Sequence, residues 1–185
     1  MCIPPTVLAG IATLPYTPAA NIVNCTDSVP DLPGIYVLRA MRSHSGSVSW
    51  AAGDIIYVGQ ASKSLKKRFR NQEILAKGHG TFFRTLGVVL GKNPKPHCLY
   101  RKKSRNFTFS STDKVAIRSW ISQNAEYLAL DIRTTPWLSL ASLSCAELDL
   151  IKHYAPPLNI KGNASKFRPL LLSLRDQAVR LARLP

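Results

Sequence analysis

The sequence predicts an α/β (α+β) fold in which a small central, mostly antiparallel three-stranded sheet is flanked by helices. Two apolar segments of strand length, residues 34–41 and 54–59, are separated by a link rich in glycine and serine, which favours an antiparallel hairpin. A third segment of strand character, residues 126–133, follows a helical pattern. Because helical patterns precede and follow these strands, we expect helices to cover the sheet.

Length and composition favour one globular domain with a nucleic acid partner. The chain has 185 residues, of which 45% are hydrophobic and 19% charged, so we expect one packed domain. Its 25 Lys and Arg against 10 Asp and Glu give a formal charge of +15, which attracts polyanions. No apolar run approaches the ~20 residues that span a bilayer, so we expect no membrane partner.

The cysteines and the N-terminus predict a cytoplasmic protein. The four cysteines occur without any CxxC pair, so we expect reduced thiols and neither a zinc site nor a disulfide framework. Residues 1–15 are apolar, but they lack a basic start and are interrupted by prolines, which argues against a signal peptide.

The chain divides into an N-terminal arm at 1–30, a central domain at 31–162 and a C-terminal amphipathic basic helix at 163–185. The arm is rich in proline and has no helical periodicity, so we expect it to be extended or to add a peripheral strand or two. The C-terminal helix carries leucines along one face. We expect it to pack on or extend the same domain, and a dimer contact or a DNA clamp is the second interpretation.

Within the central domain, the strand at 34–41 has apolar residues on both faces and is therefore expected at the centre of the sheet. Capping and stop signals predict helices that begin after Ser62 or Ser64 and after Ser142 or Ser144. The remaining predicted elements are helices at 81–90 and 112–124, a basic loop at 91–106 and a short edge strand at 107–109.

Glu147 lies on the apolar face of the helix that follows Ser142 or Ser144. At about 100° per residue it shares that face with Leu143, Ala146, Leu150 and Ile151. A carboxylate there is costly unless a cation or hydrogen bonds compensate for it. A salt bridge to a buried arginine is the structural alternative. We favour a divalent ion, Mg²⁺ or Mn²⁺, because the helix should pack on a sheet that bears tyrosines.

Arg68 is the basic residue best placed to face a site beside the sheet. Projected as an α-helix, the segment after Ser64 buries a stripe of Leu65, Phe69, Gln72 and Ala76, and Arg68 flanks that stripe. Its planar guanidinium suits a phosphate. The neighbouring Lys66, Lys67 and Arg70 suit a solvated face that contacts phosphates at a distance from any site.

Five short motifs, taken in order, resemble those of the GIY-YIG nuclease superfamily. They are Gly34-Ile35-Tyr36, Tyr57-Val58-Gly59, Leu65-Lys66-Lys67-Arg68, Glu147 and Pro156-Pro157-Leu158-Asn159. Each tripeptide alone is weakly specific, whereas the ordered set over about residues 34–159 is specific. The resemblance implies a nuclease that depends on a divalent metal.

The resemblance also implies a role for each matched position. Tyr36 and Tyr57 would line the site, with Tyr36 accepting a proton from the attacking water and Tyr57 holding that water or the phosphate. A free phenol has a pKa near 10, so this role requires a nearby cation. Arg68 would bind the scissile phosphate, Glu147 would be the single metal ligand, and Asn159 would be an orienting residue that closes the site.

The chain departs from its relatives at several positions. Gly59, placed among the nucleic-acid-binding positions, would let the following helix approach the sheet. Some relatives carry a lysine next, where this chain has Gln60, so Lys63 is the expected substitute. Relatives often place His or Tyr one turn after the arginine; this chain has Gln72, which makes His79 the candidate catalytic substitute.

The predicted function is a divalent-metal-dependent endonuclease that hydrolyses phosphodiester bonds in DNA, with RNA less favoured, as a monomer or homodimer. Phosphate contacts are expected from Lys63, from Lys67 and Arg70 on the solvated basic face, and from Lys102 and Lys103 in the 91–106 loop. The alternative is a catalytically inactive nuclease-like fold that binds nucleic acid. Retention of the tyrosines, the arginine, the glutamate and the asparagine together argues against that alternative.

Overall fold

Four strands form the sheet of this computed structural model, which describes residues 2–24, 28–78, 80–99 and 105–184. The strands are β1 (Thr17–Pro18), β2 (Gly34–Ala40), β3 (Ile55–Ala61) and β4 (Ala125–Asp131). They follow the order β1-β4-β2-β3, and every pairing is antiparallel. The mixed fold and the central position of β2 are as predicted. The sheet has four strands rather than three, because the N-terminal segment adds the two-residue β1 at one edge.

Helices surround this sheet. The α-helices are α1 (Pro5–Gly10), α2 (Ala20–Asn24), α3 (Thr81–Val89), α4 (Ser111–Asn124), α5 (Leu143–Tyr154) and α6 (Arg168–Leu181), with a short 3₁₀ helix at Ile11–Thr13. A π-helix at Lys66–Ile74 replaces the α-helix predicted to begin after Ser62 or Ser64. The edge strand predicted at 107–109 is reduced to an isolated bridge between Phe109 and Pro94.

The two faces of the sheet pack against different helices. Alternation along β2 places Tyr36 and Leu38 in one apolar cluster with the π-helix, α3, α4 and α6. Ile35 and Val37 belong to a second cluster with α5 and the N-terminal segment. As expected, α5 packs on the sheet that bears the two tyrosines, and it covers the face opposite to their side chains.

The N-terminal segment is folded onto the second face rather than extended. Ile3, Leu8 and Ile11 are buried there beside α5. A disulfide bond joins Cys2 to Cys145, with Cα atoms 5.9 Å apart, so the prediction of reduced thiols is wrong for this pair. The cause is tertiary, because α5 carries Cys145 to the N-terminal segment. Among the described residues none of the helices is long and apolar enough to cross a membrane.

Candidate active site

Four motif residues line a cleft of about 410 Å³ beside β3, the edge strand of the sheet; they are Tyr57, Arg68, Glu147 and Asn159. Tyr57 reaches the cleft from one face of the sheet, and Glu147 reaches it from α5, which covers the other face. Arg68 of the π-helix and Asn159 also line it. An edge strand allows this arrangement, because groups from both faces can meet around an edge that no further strand covers.

Asn159 binds the edge strand itself. Its Nδ2 donates to Val58 O and its Oδ1 accepts from Val58 N, both at 2.8 Å, so the side-chain amide pairs with the backbone of β3 as a neighbouring strand would. The Asn159 side chain is buried, and the adjacent Leu158 N donates to Ile56 O at 3.1 Å. Asn159 thereby fixes the backbone that carries Tyr57.

A buried ion pair joins Arg68 to Glu73, a residue that the sequence analysis did not single out. Arg68 Nη2 lies 3.0 Å from Glu73 Oε1, and the Glu73 side chain is fully buried while that of Arg68 is 33% exposed. The same carboxylate accepts hydrogen bonds from the Tyr36 hydroxyl at 3.3 Å and from the N–H groups of Thr81 and Phe83 at 3.0 and 3.3 Å. Glu73 therefore links the candidate phosphate-binding arginine, a candidate tyrosine and the first turn of α3.

The winding of the π-helix explains why Glu73 escaped prediction. Its backbone bonds run from residue i to i+5, as in the 2.9 Å bond from Leu75 N to Arg70 O, so residues five apart share a face. This winding brings Glu73 onto the side of Arg68, from which an α-helix would separate it. The buried residues of the π-helix are Phe69, Arg70, Glu73 and Ile74, and Gln72 is only half-buried, contrary to the predicted stripe.

Tyr36 is fully buried and does not line the cleft. Its ring stacks on Phe69 with centroids 4.6 Å apart. A side chain at Gly59, the cross-strand partner of Tyr36, would place a Cβ 2.4 Å from the Tyr36 hydroxyl. Gly59 thus makes room for the Tyr36 ring and not, as predicted, for the start of a helix. Burial, reinforced by the Glu73 charge, raises the pKa of Tyr36 well above its ordinary value.

Tyr57 is the tyrosine that faces the cleft. Its ring stacks on that of Tyr36 at 6.1 Å between centroids and contacts Phe82 at 5.2 Å. Burial and the Glu73 charge raise the pKa of Tyr57, and the Arg68 guanidinium opposes the rise. The phenol is therefore neutral near pH 7, with a cation beside it that favours loss of its proton.

Glu147 is a half-buried carboxylate with no Lys, Arg or His nitrogen within 4.0 Å among the described residues. Burial raises the pKa of Glu147, and the Lys161 charge and the Gln60 N–H oppose that rise. The predicted alternative of a salt bridge to a buried arginine is absent from the described chain. A hard carboxylate that is partly desolvated, lacks a cation partner and opens into a cleft fits a divalent ion such as Mg²⁺.

The comparison with protein families agrees with this geometry. A family model described as the GIY-YIG catalytic domain matches residues 34–177. The chain belongs to the GIY-YIG family. No curated protein and no solved structure matches it. Membership confirms the resemblance found in the sequence, and it implies a nuclease in general, a nucleic acid substrate and the divalent-metal dependence that is general among GIY-YIG nucleases.

The basic positions expected to contact nucleic acid have different surroundings in this GIY-YIG domain. Lys63 and Lys67 are exposed and line a second cleft of about 450 Å³ that shares Gln60 and Arg68 with the first. Arg70, expected on a solvated face, is buried, because the π-helical winding turns it inward. Its Nη1 donates to Asn71 Oδ1 at 3.1 Å. Lys102 and Lys103 lie outside the described residues.

Gln72 and Gln60, the two residues at which the chain departs from the family pattern, both make side-chain hydrogen bonds near the first cleft. Gln72 accepts a hydrogen bond from Arg68 Nη1 at 2.8 Å, so it occupies the arginine's side of the site. Gln60 donates to Ser144 Oγ at 3.0 Å and lines both clefts. His79 lies outside the described residues.

Three basic residues that the sequence analysis did not place at the site also line the first cleft. They are Arg105, Lys161 and Arg175. Arg175 lies on the C-terminal helix α6, whose amphipathic pattern predicted packing and gave no sign that one arginine turns towards the cleft. Only the tertiary contact of α6 with α3 brings it there.

Proposed function

We propose that this GIY-YIG protein is an endonuclease that hydrolyses phosphodiester bonds in DNA and uses one divalent metal ion held by Glu147. The observation that carries the proposal is the half-buried Glu147 carboxylate, without a cation partner among the described residues, in one cleft with Arg68 and Tyr57. In a protein that only binds nucleic acid, a partly desolvated carboxylate beside the bound phosphates would repel them and weaken binding.

Arg68 binds the scissile phosphate in this mechanism. Its guanidinium is already fixed by Glu73 at 3.0 Å and by Gln72 at 2.8 Å, and it remains 33% exposed. A donor group held in place before the substrate arrives stabilises the charge that grows on the phosphate without first having to reorganise. Glu73 acts through Arg68 and is a positioning residue.

Tyr57 contacts the attacking water. The family resemblance implied that Tyr36 accepts the proton, but the burial of Tyr36 and its hydrogen bond to Glu73 favour Tyr57, which lines the cleft. The Tyr57 phenol first loses its proton to solvent, a loss that the Arg68 charge favours. Water then attacks phosphorus in line with the 3′ oxygen and gives its proton to the Tyr57 phenolate, while the departing 3′ oxygen takes a proton from solvent. Mg²⁺ or Mn²⁺ held by Glu147 would supply Lewis-acid stabilisation of the phosphate and leaving oxygen.

A nicking assay on supercoiled plasmid tests the proposal. We expect cleavage with Mg²⁺ or Mn²⁺, none with a chelator, and a loss of orders of magnitude in Glu147→Ala and Arg68→Ala. Lys152→Ala, an exposed position of α5 outside the cleft, is the matched control and should cut like the wild type. Wild-type protein that binds DNA and cuts it in neither metal would instead favour the inactive binding module.

Two predictions stay open, namely the preference for DNA over RNA and the oligomeric state, and each has its own measurement. RNA of the same sequence, offered as a competitor and as a substrate, tests the preference for DNA, and light scattering tests the choice between a monomer and a homodimer. The cytoplasmic location stays a prediction, and the Cys2–Cys145 bond removes the reduced-thiol argument for it.

A further inference from the structure

The C-terminal helix presents to the cleft an arginine that is not part of the family motifs. Arg175 Nη1 donates to Thr85 Oγ1 at 3.1 Å and lies 3.5 Å from Thr81 O, so the side chain crosses from α6 to the first turns of α3. Leu171 and Ala178, on the buried face of α6, anchor the helix in the apolar core. Arg175 is therefore placed by packing.

The Arg175 charge has no anionic partner among the residues that the structure describes. No carboxylate lies within 4.0 Å of its guanidinium in the described part of the chain. A second arginine, Arg84, is close by, and both guanidiniums lie 5.8 Å from the centroid of the Phe107 ring. Burial lowers the pKa of Arg175, and burial together with the Arg175 charge lowers that of Arg84 to about 10. A partly desolvated cation beside another cation is stabilised when an anion binds.

The surroundings of Arg175 indicate which anion. It lines the cleft that holds Tyr57 and Arg68, and Lys161 and Arg105 line the same cleft. On the other side of Arg68, Lys63 and Lys67 line the second cleft. Cationic groups thus follow one another from the second cleft, through Arg68, to Arg175. A row of cations on both sides of a phosphate-binding arginine suits a polyanion with regularly spaced charges better than a single small anion.

We propose that Arg175, with Lys161 and Arg105, forms a subsite for the backbone phosphate of nucleic acid next to the scissile phosphate; we call these three residues the α6 subsite. Arg175 is its fixed member, since Lys161 is exposed and Arg105 is already paired with Asp176. The subsite rests on the proposed function for the position of the scissile phosphate, but its own contribution is to binding.

The test measures the binding of a short fluorescent DNA duplex in the presence of a chelator, so that no cleavage occurs. We expect Arg175→Ala to weaken binding several-fold and to make the plot of log affinity against log salt concentration shallower by about 0.9, the change for one lost phosphate contact. Arg180→Ala, which removes an exposed arginine of the same helix, is the matched control and should change affinity less than about twofold. Equal affinities and slopes for the two variants would overturn the subsite.

Two further arms keep the result unambiguous. Arg175→Gln preserves most of the side-chain length without the charge, and it should behave as Arg175→Ala in binding while melting closer to the wild type. If both variants fail to fold, Arg175 is a structural residue and the proposal is wrong. Inorganic phosphate is titrated separately: phosphate binding that depends on Arg175, together with DNA binding that does not, would assign the site to a free anion and contradict the proposal.

The binding test is independent of the nuclease assignment. Wild-type protein that binds DNA through Arg175 and cuts nothing would overturn the proposed endonuclease and leave the α6 subsite in place. Wild-type protein that cuts DNA while Arg175→Ala binds and cuts normally would overturn the subsite alone.

Discussion

Glu73 and Glu147 lie at the same site, yet their removal should change the free energy of unfolding in opposite directions. Glu73 is fully buried and paired with Arg68, whereas Glu147 has no cation within 4.0 Å among the described residues. Removing one member of a buried ion pair leaves the other charge uncompensated, and removing an unpaired, partly buried carboxylate relieves a desolvation cost.

The magnitude for Glu73→Ala follows from what the carboxylate contacts. Breaking a buried pair costs about 3–5 kcal/mol. The 33% exposure of Arg68 lets its guanidinium reach water and favours the lower end of that range. The substitution also removes the acceptor of three hydrogen bonds, which come from the N–H groups of Thr81 and Phe83 and from the Tyr36 hydroxyl, and this increases the loss in the free energy of unfolding. For a chain of this length, 3–5 kcal/mol lowers the melting temperature by roughly 6–20 °C.

Thermal and urea melts of three variants check the reasoning. Glu73→Ala should melt far below the wild type, and Glu147→Ala should melt level with it or higher. Glu126→Ala is the graded control, because Glu126 pairs with Arg39 at 2.6 Å but both side chains are about one fifth exposed, at 18% and 20%. Its loss should be smaller than that of Glu73→Ala. The account of the site is refuted if Glu147→Ala is the least stable of the three, or if Glu73→Ala melts like the wild type.

Three further predictions address other parts of the molecule. Gly59→Ala forces a Cβ to within 2.4 Å of the Tyr36 hydroxyl, so urea unfolding should show a loss of about 1–3 kcal/mol and the nicking rate should fall. The Cys2–Cys145 bond spans 143 residues, so a reductant should destabilise the wild type by about 2–5 kcal/mol, while Cys145→Ser should melt equally with and without reductant. Because the pKa of Glu147 is raised in the folded state, the wild type should lose stability relative to Glu147→Gln as the pH rises from the unfolded-state pKa of this group to its folded-state pKa. Cleavage requires the ionised carboxylate, so on acidification it should be lost at a higher pH than an ordinary glutamate would give.

The sequence was sufficient where a local pattern decides the structure. Apolar residues on both faces placed β2 at the centre of the sheet, and the observed strand, Gly34–Ala40, ends one residue before the predicted limit. Glu147 was found because a carboxylate on an apolar helical stripe is unusual whatever the stripe packs against. Which residues surround Glu147 could not be predicted, because a helical projection shows which residues share a face of the helix but not which part of the protein packs against that face.

The sequence did not predict the features that depend on an unusual backbone winding or on a contact between distant parts of the chain. Glu73 follows Arg68 by five positions, a spacing that shares a face in a π-helix and not in an α-helix, and no residue pattern between 66 and 74 marks that winding. The bond between Cys2 and Cys145 depends on folding the N-terminal segment onto α5, which a proline-rich pattern without periodicity gave no reason to expect.

The position of β3 at the edge of the sheet connects these features. An edge strand normally leaves backbone groups open to further pairing, and here Asn159 takes both groups of Val58, the residue between Tyr57 and Gly59. One side of Val58 thus holds the tyrosine that faces the cleft, and the other holds the glycine that admits Tyr36 and, through it, the hydrogen bond to Glu73. Motif residues from distant parts of the chain, Tyr36 and Asn159, therefore contact the short segment from Tyr57 to Gly59. These contacts explain why the ordered set of motifs identifies the family although each tripeptide alone does not.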